Sequence, residues 1–163
     1  MRRALQKFQS TLVEIHSIAK EIHARGHVHH SELHRLERIK AGEIAAADFE
    51  LAVGQLLFRS LVVHFEDALP IQVEDRAVNP ALAPEYMQID FGKTTANEYL
   101  MRVAPLAGVR YRIEARLPPP EIAAMLQIDE SQPCLVLHRK TLSRGQVATL
   151  WPPASRYQFT GGF

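Results

Sequence analysis

A lone cysteine, Cys134, in a chain of 163 residues leaves no internal disulfide partner and excludes a cysteine-based zinc site. Charge of one sign is also missing. Nineteen basic residues stand against eighteen acidic ones, a net charge of +1, so no electrostatic bias draws the chain to nucleic acid or acidic membranes. No run approaches the ~18 apolar residues of a membrane span, and the opening MRRALQKFQS lacks the apolar core of a signal peptide. Glycine and proline, eight and ten, are too few for a disordered or collagen-like chain. G-x-S-x-G, G-x-G-x-x-G and Walker-type loops are absent, which removes the common nucleophile and phosphate-cradling motifs. No pair of short helices forms a DNA-reading helix-turn-helix. The expectation is one soluble, cytoplasmic domain without a cofactor, long enough to bury roughly two-thirds of its unfolded surface.

Apolar residues at Leu12, Ile15, Ile18, Ala19 and Ile22 have helical spacing, so a helix is predicted over Ser10–Arg25 with Gly26 ending it. His29 to Ile39 reads as a polar strand, and Ala45 to Val53 as a short helix closed by Gly54. Alternation predicts a hairpin of Leu56–Glu66 and Ile71–Val78 around the loop Asp67-Ala68-Leu69. Its expected register sets Glu66 opposite Pro70, His64 opposite Gln72 and Val62 opposite Glu74. A short helical stretch follows through Ala83–Tyr86. Thr95-Ala96-Asn97-Glu98 fits a capping box opening a helix from Ala96 to about Val103. Val109 to Leu117 alternates with Arg110, Arg112, Glu114 and Arg116, predicting a strand with one wet face. Pro118–Pro120 open a helix to Leu126, and Cys134–Leu142 pairs with Val147–Leu150 around Ser143-Arg144-Gly145. Hairpins mixed with helices imply an α+β fold, an antiparallel sheet flanked by helices.

The hairpin splits its side chains cleanly. Leu61, Val63, Phe65, Ile71, Val73 and Ala77 form an apolar side, and Ser60, Val62, His64, Gln72, Glu74 and Arg76 the other. The second set is either a solvated sheet face or a polar pocket for a small ligand with anionic and cationic ends. Six of the eight histidines fall between His16 and His34. His27, His29, His30 and His34 invite a metal reading, but no Asp or Cys completes a familiar set, and a polar strand of ordinary histidines is the simpler account. Cys134 heads the apolar run CLVL and suits an inert buried thiol.

The stretch LFRSLVVHFEDALPIQVEDRAVNPALAPEY, then TTANEYLMRVAPL and PASRYQFTGGF, closely resembles the effector-binding (UTRA) domain of histidine-utilisation repressors of the HutC type, within the GntR superfamily. STLVEIHSIAKEIHARGH is similar to the helix that opens that domain. The resemblance implies a chorismate-lyase-like α+β fold over residues 10–163, residues 1–9 being the remnant of a linker from a missing N-terminal winged helix. It also implies a homodimer that binds urocanate as inducer, with no catalytic activity, and meets operator DNA only through the missing domain. The alternatives are a UTRA domain of a GntR-family regulator that senses another small metabolite, or a chorismate-lyase-like enzyme on the same fold. Carried over by position, the family's pocket falls on Val62, His64 and Glu74, then Thr94 and Thr95; Arg76 and Tyr99 are added as neighbours. Relatives that sense phosphorylated sugars have arginines at the places of Val62 and His64, which fits phosphate there and an uncharged ring here. Glu74 is expected to accept a hydrogen bond from the ligand imidazole, with Thr94, Thr95 and the helix start holding its carboxylate. Two departures stand out. Ala68 occupies a hairpin position usually glycine, and the run Gly145–Ser155, with Trp151, is about three residues short.

Overall fold

The central strands of the sheet are buried on both faces, and the elements packed on them position the site. In the computed structural model, residues 18–150 and 156–158 are described. Seven strands occur: β1 (His29–Lys40), β2 (Leu56–Glu66), β3 (Leu69–Val78), β4 (Gly108–Arg116), β5 (Cys134–Ser143), β6 (Gln146–Leu150) and β7 (Arg156–Gln158). They form one sheet in the order β1-β2-β3-β6-β5-β4, every pair antiparallel. β7 pairs with both β3 and β5, so β6 and β7 share one lane. The helices are α1 (Ile18–Ala24), α2 (Glu43–Phe49), α3 (Ala96–Val103) and α4 (Pro120–Leu126), with a 3-10 turn at Tyr86–Gln88. The α+β architecture expected from the sequence is the one observed.

Odd-numbered residues of β2 and β3 face α2 and α4. Leu61, Val63, Phe65 and Val73 pack with Ile122, Leu126, Cys134 and Val136, and Leu57 and Ala77 pack with Ala46 and Phe49. On this back face Arg59 forms a two-pronged pair with Asp75, at 3.0 and 2.8 Å. Even-numbered residues face the other way. Phe58, Val62 and Val78 meet Ala83, Tyr86, Phe91, Ala96 and Leu100, all from the long connection after β3 and from α3. Asn79 turns the chain into that connection: its amide donates to the Val147 carbonyl at 3.1 Å and its oxygen accepts from Ala81 N–H at 3.0 Å. Cys134 is buried, and burial pushes its thiol above the ordinary range, so it packs as an apolar side chain.

Several boundaries depart from the sequence expectations. Helix α2 stops at Phe49, before Gly54, because Glu50 takes a left-handed φ of 58° and caps it with bonds to Ala46 and Ala47 carbonyls. The hairpin loop has two residues, Asp67 and Ala68: Glu66 lies opposite Leu69, not Pro70, and Phe65 lies opposite Pro70. A bulge between His64 and Phe65 then absorbs one residue, so His64–Gln72 and Val62–Glu74 are opposed as expected. The left-handed residue is Asp67, at φ 52°, and not Ala68. Aspartate tolerates that region better than alanine, so alanine at a hairpin position usually glycine carries no left-handed strain here. The helical stretch expected through Ala83–Tyr86 is displaced to the 3-10 turn at Tyr86–Gln88. Strand β4 is an edge strand without the buried side expected of it; Ile113 is 42% exposed. The expected helical residues 10–17 and Trp151 lie outside the described residues.

Candidate functional site

The polar hairpin face is buried. Ser60, His64, Gln72, Glu74 and Arg76 are all buried, Ser60 against Tyr86 of the connection after β3 and His64 against His29 of β1, so the solvated-face reading does not hold. A buried charge is tolerated only when paired and hydrogen-bonded. Here the pairing is explicit. Arg76 pairs with the Glu74 carboxylate. The other carboxylate oxygen lies 3.0 Å from His64 Nε2, and His64 Nδ1 lies 2.9 Å from Nε2 of His29, whose ring stacks on that of His64. Four side chains from β1, β2 and β3 thus form one row across the sheet.

At the His29 end of this row opens a cavity of about 350 Å³. Its walls are Ala19 and His23 of α1, His29, His30 and Ser31 of β1, the loop from Phe91 to Thr95, and Glu98 of α3. Local chemistry shapes the loop. The Asp90 carboxylate accepts from Gly92 N–H at 2.9 Å, and the Asp90 carbonyl accepts from the N–H groups of Lys93 and Thr94. The Ser31 hydroxyl donates to the Phe91 carbonyl at 3.1 Å and ties the loop to β1.

The sequence-predicted residues are distributed unevenly around this cavity. Thr94 and Thr95 line it. His64 and Glu74 stand behind His29, and Glu74 is taken up by Arg76 and His64. Arg76 reaches a second cavity of about 20 Å³ beside Arg139, Thr141 and Thr149, room for about one water. Val62 is buried in the apolar cluster with Tyr86. Tyr99 packs edge-on against Tyr86, 6.1 Å between centroids, and takes no part in the cavity wall.

The start of α3 is occupied from within. Thr95 Oγ accepts from Glu98 N–H at 3.1 Å, and the Glu98 carboxylate accepts from Thr95 N–H at 3.4 Å and from the Thr94 hydroxyl at 2.9 Å. The donors expected to hold a ligand carboxylate therefore already hold that of Glu98. Replacing Thr95 by alanine removes this cap and is expected to cost about 1 kcal/mol, read as a lower urea midpoint at unchanged slope.

His29 was the residue that sequence reasoning missed. It sat among four histidines weighed for metal binding, which the fold sends separate ways. His27 bonds Glu66 at 2.7 Å, His30 stacks on Phe65, and His34 lies 3.7 Å from Glu32. Among the described residues no three His, Cys, Asp or Glu side chains converge as a metal site. The signal that marks His29 is register: beside β2, His29, Ser31 and Leu33 oppose Glu66, His64 and Val62.

Acid should lower the stability of the domain over two pH windows. Burial, then the neighbouring His64, pushes His29 from 6.5 down to about 4, so the unfolded chain binds the extra proton first and stability falls as pH drops through that window. Glu66 is held at about 2, below its ordinary 4.5, chiefly by its bond from Arg25, and its contribution fades as pH falls from 4.5 toward 2. Urea unfolding at successive pH values should show both slopes, with Glu66→Gln flattening only the lower.

The UTRA domain model matches residues 24–151. Histidine utilization repressors of Pseudomonas putida and Klebsiella aerogenes are 42% and 41% identical over 160 residues, 96% of this chain. The chain spans about 64% and 66% of the length of these curated relatives. The crystal structure of the C-terminal domain of the histidine utilization repressor from Pseudomonas syringae pv. tomato superposes with a TM-score of 0.74 at 36% identity, over 83% of this chain and 98% of that one. The effector domain of PhnF from Mycobacterium smegmatis shares the fold, with a TM-score of 0.78 at 18% identity over 88% of each chain. This chain belongs to the UTRA domain family.

Proposed function

We propose that this domain binds urocanate in the cavity beside His29 and, within a longer homodimeric repressor of histidine-utilisation genes, sets the operator affinity of an N-terminal winged helix. The protein works in the cytoplasm as a regulator. The observation that carries the reading is the cavity itself, placed at the end of a buried, hydrogen-bonded polar row. Its size falls in the range of small-molecule sites, about 300–1,000 Å³. Its wall offers imidazoles on one side and the Lys93–Thr94 rim on the other, a match for a small planar acid bearing an azole ring. No membrane partner is invoked, and no helix among the described residues is long and apolar enough to cross one.

Thermal melting tests this directly. At about 100 times its dissociation constant, urocanate should add about 2.7 kcal/mol, a rise of several degrees, while histidine and chorismate leave the midpoint in place. A shift with chorismate and none with urocanate at saturating concentration overturns the assignment and favours the lyase-like alternative. For an allosteric role, urocanate must also bind the two repressor states unequally, since equal affinity moves no equilibrium.

A further inference from the structure

The row His29–His64–Glu74–Arg76 has a direction, because every hydrogen bond in it needs one donor and one acceptor. A carboxylate only accepts, so the His64 nitrogen 3.0 Å from Glu74, Nε2, carries hydrogen. Glu74 also pairs with the guanidinium of Arg76, so its charge is met without a second cation from the histidines, and His64 need supply only the one hydrogen on Nε2. His64 Nδ1 is then a lone pair, and it accepts from His29 Nε2–H at 2.9 Å. His29 is itself held neutral at ordinary pH. Its remaining nitrogen, Nδ1, is a lone pair with no hydrogen-bond partner among the described residues, on a ring that lines the cavity.

We propose that His29 is the specificity-determining residue of this pocket: its Nδ1 accepts an N–H from the azole ring of the ligand, and the row behind it fixes the tautomer that makes it an acceptor. This rests on the cavity being the effector site, and it moves the recognition of the azole from Glu74 to His29. Glu74 becomes a positioning residue that acts through His64. The chemistry selected is a neutral ring N–H. A ring alkylated at nitrogen, or an ether or thioether analogue, leaves the acceptor unpaired in a half-buried place, which is where discrimination is strongest.

The first test needs no ligand. Long-range proton–nitrogen NMR of the labelled chain at about pH 7.5, above the ordinary histidine range, should show His29 and His64 both as Nε2–H tautomers. An Nδ1–H or doubly protonated His29 would falsify the proposal. The groups that bear on this titration are His23, His30, His64 and Glu98, so the same spectra followed downward in pH should protonate His29 after the exposed rings.

The second test uses imidazole and 1-methylimidazole as probes at about pH 8.5, where both are largely neutral. Imidazole should bind at least about tenfold more tightly, a ratio lost in His29→Phe and restored in His29→Asn, whose amide oxygen replaces the Nδ1 acceptor. Equal binding of the two azoles to the unsubstituted chain, or a ratio that survives His29→Phe, overturns the proposal even if either variant folds poorly. If the azole ratio holds while urocanate fails to raise the melting point, the inducer assignment falls and His29 stands.

Discussion

Glu74→Ala should lower the unfolding free energy by about 3–5 kcal/mol, the cost of leaving one partner of a buried ion pair alone. Arg76 and His64 both lose their carboxylate, and both are nearly shut off from water. The size of the loss reflects stranded charge more than the worth of the pair. Replacing His64, Glu74 and Arg76 together by leucine or methionine should therefore cost less than Glu74→Ala, because the two charges of the ion pair leave together. The triple variant should fold and yet fail to discriminate azoles, since His29 would have lost the neighbour that orients it. Urea titrations with unchanged slope would check the stabilities. A loss below about 1 kcal/mol in Glu74→Ala would mean that Arg76 has other support strong enough to carry its charge.

Tyr86→Ala should cost about 3–5 kcal/mol, as for other large aromatic truncations in a core. Tyr86 is fully buried, lies parallel to Phe58 at 6.4 Å, and meets Phe91 and Tyr99 edge-on. Its hydroxyl shares a 2.8 Å hydrogen bond with Ser60, and burial pushes the phenol up to about 12, so it stays neutral. Tyr86→Phe removes only that bond and should cost about 1–3 kcal/mol, since Ser60 is left buried without its partner. The two variants also separate packing from binding. Phe91 rests on Tyr86 and also lines the cavity, so Tyr86→Ala should weaken ligand binding as well as the fold, whereas Tyr86→Phe should leave affinity nearly unchanged. Calorimetric titration of both variants would show whether affinity and stability part in this way.

What could be read from the sequence was local. The Thr95–Glu98 capping box needs only four adjacent residues, and helix α3 begins and ends where the pattern places it. The opposition of Val62 to Glu74 and His64 to Gln72 survived a misjudged loop because a bulge repaid the miscount. The burial of that face could not be read locally, since Tyr86 and Phe91, which pack on Phe58, Val62 and Val78 beside Ser60, come from the connection after β3 and have no alternating signature of their own. Nor could the role of His29, which depends on β1 lying beside β2. Strand β4 alternates like a half-buried strand but is the sheet's edge, a property set by strand order and not by residues 108–116 themselves. The resemblance to UTRA domains points by position to Val62, His64, Glu74, Thr94 and Thr95, of which Thr94 and Thr95 line the cavity. It implies that Glu74 meets the ligand, while in the fold His64 and His29 stand between Glu74 and the cavity beside His29.

The lane shared by β6 and β7 makes the sheet a book with two leaves. One leaf is β1–β2–β3, the other β4–β5, and the spine between them is stitched twice. The β6 stitch joins Ala77 and Val78 to Leu150 and Thr149, and the β7 stitch joins Gln72, Val73 and Glu74 to Gln158, Tyr157 and Arg156. Any turning of one leaf against the other must strain these few backbone pairs. The second stitch includes Glu74, so the residue that anchors the pocket's polar row also sits on the spine.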